Sequence, residues 1–103
     1  MPRLFSYGSL QEKDVQLANF GRELTGRPDT LPGYILTQSD YANAEPGSPS
    51  DAVEGTIFEI TDQELAAADL YEEPASYHRI AVTLQSGTQA WVYVRPVLGP
   101  EAQ

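Results

Sequence analysis

The chain contains no cysteine and only one histidine, one tryptophan and one methionine. Without thiols there are no disulfides, no thiolate metal sites and no cysteine nucleophile. His78 by itself builds no metal centre, and a serine triad would need that same histidine with a partner the sequence does not offer. Basic residues are scarce as well: six Lys and Arg stand against fifteen Asp and Glu, a net charge of −9. Such a surface repels phosphate backbones and anionic lipid, so neither nucleic acid nor membrane is an expected partner. No run approaches the roughly eighteen apolar residues of a membrane span, and Met1-Pro2-Arg3-Leu4-Phe5 lacks an extended apolar core. A cytoplasmic location is the simplest expectation.

What is present is enough for one globular unit. With 103 residues, 41% hydrophobic and ten aromatic, the chain can bury one core and has no room for a second, so residues 1–103 read as a single domain. The acidity sets a condition on function. A small anionic ligand would need a locally positive site, and backbone N–H groups are the cheapest way to make one.

Along the chain, Arg3 to Tyr7 is a short strand candidate ended by Gly8, followed by a polar run from Gln11 to Asn19 with moderate helix propensity. Residues 21–30 read as a loop or irregular strand, and Tyr34-Ile35-Leu36 as a strand after the turn residues Pro32-Gly33. Glu45 to Ser50, with Pro46, Gly47 and Pro49, is the most loop-like segment, and its position makes closure over a pocket worth testing. Val53 to Ile60 is a β-branched, aromatic core strand, in which Gly55 signals a bulge or a close approach by another backbone. Thr61-Asp62-Gln63-Glu64 fits a capping box, so a helix should run from Asp62 to about Tyr71 and stop before Pro74. Tyr77–Leu84 and Gln89–Val94 flank Ser86-Gly87 as a β-hairpin, and a loose tail is expected after Pro96. The mixture lacks regular βαβ alternation and any internal repeat, which favours α+β with five or six short strands.

Two features carry possible chemistry. Glu72 follows Leu65 by seven residues and Ala68 by four, which places the three on one helix face. If that face is inward, burial raises the carboxyl's proton affinity toward that of a general base. The rival stripe of Ala66, Ala67, Leu70 and Glu73 is almost as apolar, and if it faces the core Glu72 is an ordinary solvated carboxylate. At the end of the first strand, Tyr7-Gly8-Ser9-Leu10 is either an anion cradle of consecutive N–H groups or a plain turn with Ser9 capping a helix. His78 and Arg79 fall on opposite strand faces as solvent-facing or pairing residues. Trp91 and Tyr93 share a strand face and read as core packing.

Taken in order, YGSL after a short strand, the VEGTIFEI strand, the ADLYE helix end, a tyrosine five residues later and the AWVYV strand resemble the γ-glutamylcyclotransferase-like family over nearly the whole chain. The resemblance implies a small mixed β-barrel flanked by helices, and an enzyme needing neither metal nor cofactor. It implies that Tyr7, Gly8, Ser9 and Leu10 hold substrate, with Tyr77 near the pocket or in the strand core. It also implies that Glu72, three places after Asp69, is the catalytic base. Where the family often has glycine after the glutamate, this chain has Glu73, whose charge could raise the proton affinity of Glu72.

The implied reaction closes a γ-glutamyl group to 5-oxoproline and frees an amine or amino acid from a small-molecule γ-glutamyl substrate. The chain length and the short YGSL loop are closer to the γ-glutamylamine cyclotransferase branch. Release of a γ-glutamyl protecting group from an amine-containing product is a variant of the same chemistry. The alternative is a non-catalytic member whose pocket binds a metabolite, or whose acidic surface docks a protein. The sequence leaves the oligomeric state open, with a monomer favoured.

Overall fold

Strand β1 (Arg3–Ser6) lies at the centre of the molecule. The computed structural model describes residues 1–38 and 42–96. After β1 come a 3₁₀ turn at Ser9–Gln11 and helix α1 (Lys13–Phe20). Strands β2 (Gly26–Pro32), β3 (Tyr34–Gln38), β4 (Ala42–Pro46) and β5 (Ala52–Glu59) follow. Helix α2 (Asp62–Glu72), a second 3₁₀ turn at Glu73–Ala75, β6 (His78–Thr83) and β7 (Gln89–Val94) complete the chain.

Five strands form one sheet in the order β2-β5-β1-β7-β6, and β3 and β4 pair as a separate two-stranded sheet. Among the described residues only β1 and β7 pair in parallel, with Leu4 opposite Trp91 and Phe5 opposite Val92. The α+β class is as expected, but the strands form two sheets; among the described residues no strand pairing closes them into a barrel.

Period-2 alternation along the strands divides the core in two. Phe5, Val53, Ile57, Val92 and Val94 face the side covered by Leu31 and Ala44. Leu4, Phe58 and Tyr93 face the helices, where they meet Leu10, Leu65 and Ala68. Gly55 lies where β1 and β5 come together: a Cβ there would run into the Ser6 carbonyl and stand 2.7 Å from the Phe5 ring. This is the close backbone approach the sequence suggested, and it leaves room for the Phe5 ring beside β5.

Residues 21–30, read from their glycine and polar content as a loop or irregular strand, contain the first five residues of β2, which runs on to Pro32. Its prolines are tolerated because β2 is an edge strand, where missing N–H donors leave no ladder bond unmade. The Pro- and Gly-rich run is likewise shorter than it looked, because β4 continues to Pro46. The tail expected to be loose beyond Pro96 lies outside the described residues.

α2 carries the predicted capping box: Glu64 N–H donates to Thr61 Oγ1 at 3.0 Å, and Thr61 N–H donates to Glu64 Oε1 at 2.9 Å. Arg22 grips the same carboxylate through Nε (2.7 Å) and Nη2 (2.9 Å), which holds the Glu64 carboxyl down at about 2 and ties α2 to the end of α1. Of the two helical stripes, Leu65 and Ala68 are the buried ones, whereas Leu70 is 72% exposed. The β6–β7 turn places Gly87 at φ 87°, with Gly87 N–H on the Leu84 carbonyl.

Candidate active site

The orientation of α2 brings Glu72 to the mouth of a cavity of about 430 Å³. Tyr7, Gly8, Ser9 and Leu10 form one side of it, and Tyr71, Glu72, Pro74 and Ala75 another. Phe5, Ser6, Ala42, Tyr77 and Tyr93 also line it. All six residues singled out in the sequence therefore meet at one place, although they span 70 positions from Tyr7 to Tyr77.

The loop is held from behind. Gln16, buried on α1, donates from Nε2 to the Leu10 carbonyl at 2.9 Å and accepts the Leu24 N–H on Oε1 at 2.8 Å. This explains why a polar residue is the buried one on α1. Gln11 N–H closes the 3₁₀ turn onto the Gly8 carbonyl at 3.1 Å. The Ser9 and Leu10 N–H groups stand at the start of that turn, which offers them no internal partner. The Gly8 N–H is turned to Ser6 Oγ at 3.3 Å, so the expected cradle of three amides narrows to two. Gly8 has φ −133°, which other residues also adopt. A Cβ there would meet no atom within 4 Å, so its missing side chain leaves room beside the loop.

The hydroxyls of the wall tie its elements together. Tyr7 donates to the Tyr93 carbonyl at 2.7 Å and accepts the Ala44 N–H at 3.2 Å, bridging β7 and β4. Ser9 and Tyr71 share a hydrogen bond of 2.8 Å that links the loop to the last turn of α2. Tyr93 donates to Asp69 Oδ1 at 2.6 Å, and Asp69 pairs with Arg79 Nε at 3.1 Å. Tyr77 donates to the Ala42 carbonyl. The chain returns Tyr77 to the pocket through Ser76, in the left-handed region at φ 66°, just after the second 3₁₀ turn.

Half-burial pushes the Glu72 carboxyl up to about 7, and loss of solvation is the whole cause. Glu73, one residue on, is exposed and does not line the cavity, so the expected like-charge effect is not what raises Glu72. Burial likewise raises the proton affinity of the Tyr7 and Tyr93 phenols, which stay neutral. Among the described residues no cluster of His, Cys, Asp and Glu is arranged to hold a metal ion.

The family pattern for gamma-glutamyl cyclotransferase, AIG2-like proteins matches residues 4–102 of this sequence. The chain belongs to that family. Its fold is shared by several solved structures. One is an Arabidopsis thaliana protein with a TM-score of 0.79 and 24% identity, over 99% of this chain and 74% of that one. A mouse AIG2-like protein gives a TM-score of 0.72 and 24% identity, over 98% and 81% of the two chains. A structure described as gamma-glutamyl cyclotransferase gives 0.74 and 18%, over 92% of this chain and 66% of that one. No curated protein matches the sequence significantly.

Sequence reasoning missed part of this AIG2-like pocket. Tyr71 was hidden inside the ADLYE match, and Tyr93 was read as core; it is core, at 4% exposed, yet it also walls the cavity. Ala42 carries no signal that could have found it. The Pro46–Pro49 loop does not line the cavity; Gly47 N–H is instead held by the Gly33 carbonyl. His78 is exposed, as expected.

Proposed function

We propose that this chain is a γ-glutamyl cyclotransferase in which Glu72 is the general base and the Ser9–Leu10 amides bind the substrate's anionic groups. The observation that carries the reading is the placement of Glu72. It is a carboxyl held near pH 7 by burial, at the end of a helix, in a cavity shared with the YGSL loop. The volume, about 430 Å³, is in the range of small-ligand pockets and suits a γ-glutamyl group with its amine.

In this reading the substrate enters with its α-amine as an ammonium, and Glu72 accepts one proton from it. The freed amine attacks the γ-carbonyl of the same molecule and closes a five-membered lactam through a tetrahedral oxyanion. The C–N bond to the departing amine then breaks as Glu72 returns its proton to the leaving nitrogen, and the second proton of the attacking nitrogen passes to the same amine as the lactam N–H is left. The products are 5-oxoproline and the amine, released as its ammonium. Nucleophile and electrophile share one molecule, so the main requirements are a folded substrate and a base with proton affinity near working pH. The Ser9 and Leu10 N–H groups supply the local positive potential that a surface of charge −9 otherwise denies.

The test is 5-oxoproline release from a panel of γ-glutamyl amines and γ-glutamyl amino acids. Wild type should turn over at least one member; Glu72→Gln should lose roughly 10²–10⁴-fold in kcat, and Glu73→Gln should keep its activity. Release from no substrate, or equal loss in both variants, would reject the assignment.

A further inference from the structure

The hydroxyls of Ser9 and Tyr71 are 2.8 Å apart, and both residues line the cavity. Two hydroxyls carry two protons, and the bond between them uses one. Among the described residues neither oxygen has a second partner, so the other proton is left for a ligand. A phenol is a stronger donor than an aliphatic alcohol, so Tyr71 donates to Ser9 Oγ and the proton left over belongs to Ser9.

The loop around Ser9 is built to present donors. Gln11 takes the Gly8 carbonyl with its backbone N–H at 3.1 Å and with Nε2 at 3.2 Å, and its Oε1 accepts the Thr56 hydroxyl at 2.8 Å. Across a trans peptide the Ser9 N–H points the other way, away from those donors. The third amide expected in the cradle, that of Gly8, is turned to Ser6 Oγ at 3.3 Å, and the Ser9 hydroxyl stands in for it beside the Ser9 amide. Ser6 keeps a hydroxyl proton on the same wall, but its oxygen is tied to the loop alone, whereas Ser9 Oγ is tied to Tyr71, the residue before Glu72 on α2. The Ser9 donor is therefore held in register with the helix end that carries the carboxyl.

Resting on the cyclotransferase reading, we propose that the Ser9 hydroxyl donates a hydrogen bond to the oxyanion of the tetrahedral intermediate, and that Tyr71 is the positioning residue that orients and polarises it. The reacting carbon has to lie within reach of Glu72, so the donor anchored beside that residue serves the oxyanion and not the α-carboxylate. Hydrogen bonds in a chain strengthen one another, and a donor fixed in place beforehand needs no reorganisation as the charge forms. No proton leaves Ser9: its bond tightens as the γ-carbonyl oxygen becomes negative and relaxes when the lactam carbonyl re-forms.

The measurement is steady-state 5-oxoproline release from the panel of γ-glutamyl amines and γ-glutamyl amino acids by wild type, Ser9→Ala, Ser9→Thr, Tyr71→Phe and the double variant Ser9→Ala with Tyr71→Phe. Ser9→Ala should lose roughly 10²-fold in kcat with KM unchanged, and Ser9→Thr, which keeps a hydroxyl, should restore most of it. Tyr71→Phe should lose about tenfold in kcat, the worth of one hydrogen bond, again with KM unchanged. In the Ser9→Ala background Tyr71→Phe should cost nothing further, because it acts through Ser9. Tyr71→Phe keeps the ring packed on the helix-side core, so it decides the question if Ser9→Ala does not fold. Three results overturn the proposal alone: wild-type kcat in the folded variants with only thermal stability lowered, a loss carried by KM, which would put the pair on the α-carboxylate, or a full further loss in the double variant. Release of 5-oxoproline from no substrate by wild type rejects the cyclotransferase reading and the proposal with it.

Discussion

Glu72→Gln should stabilise the folded protein, and the stabilisation should depend on pH. The side chain stays nearly the same size, but the variant permanently carries the neutral form that its half-buried setting favours. Moving a carboxyl from its ordinary 4.5 to about 7 corresponds to about 3 kcal/mol, at about 1.36 kcal/mol per pH unit. Glu72 keeps part of its exposure, so solvent screening reduces this to roughly 1–2 kcal/mol. The sign follows from proton binding: between 4.5 and 7 the folded protein holds a proton that the unfolded chain has released. Stability of the wild type therefore falls as pH rises through this window, with the full contribution present below 4.5 and lost above 7. At pH 8 the variant should exceed wild type by roughly 1–2 kcal/mol, about 5–10 °C in Tm for a domain of this size, and at pH 4 the two should converge. Urea unfolding of both proteins from pH 4 to pH 9 measures it, with other titrating groups cancelling in the difference. A difference that is flat with pH, or a variant less stable at pH 8, would refute the burial argument. The same substitution should lower turnover by roughly 10²–10⁴-fold, so gain of stability with loss of activity would mark a carboxyl kept half-buried for its chemistry.

Three further outcomes follow from the same structure. The acid limb of kcat/KM for 5-oxoproline release should rise through about pH 7 and be absent from any residual activity of Glu72→Gln. Gly55→Ala should cost about 3 kcal/mol by urea unfolding, because its Cβ meets the Ser6 carbonyl and the Phe5 ring, and a backbone carbonyl cannot rotate away. Tyr7→Phe should cost about 1–3 kcal/mol and weaken the join between β4 and β7, because it leaves the Ala44 N–H and the Tyr93 carbonyl without their shared hydroxyl. Thermal unfolding with hydrogen exchange at Ala44 would report both effects.

Residues whose partners are close in sequence were legible before the fold was known. Thr61 and Glu64 form their box within one helical turn, and Gly87 makes its turn within the hairpin, so local chemistry determined both. The family pattern also placed Glu72 and the YGSL loop in advance, and both line one cavity. The choice between the two stripes of α2 was not local: Leu65, Ala68 and Glu72 differ too little in hydropathy from Ala66, Ala67, Leu70 and Glu73. The sheet decided it, because Leu4, Phe58 and Tyr93 offer Leu65 and Ala68 a surface that leaves Leu70 outside. Residues 21–30 stayed open between loop and irregular strand for a related reason: prolines disfavour a central strand but not an edge, and strand order is a property of the sheet alone. The sequence by itself determined the α2 helix and its cap, the β6–β7 turn and the acidic surface. Only the tertiary structure decided which helix face is buried, hence the proton affinity of Glu72, and which tyrosines wall the pocket, because desolvation and hydroxyl pairing depend on neighbours up to 86 residues away.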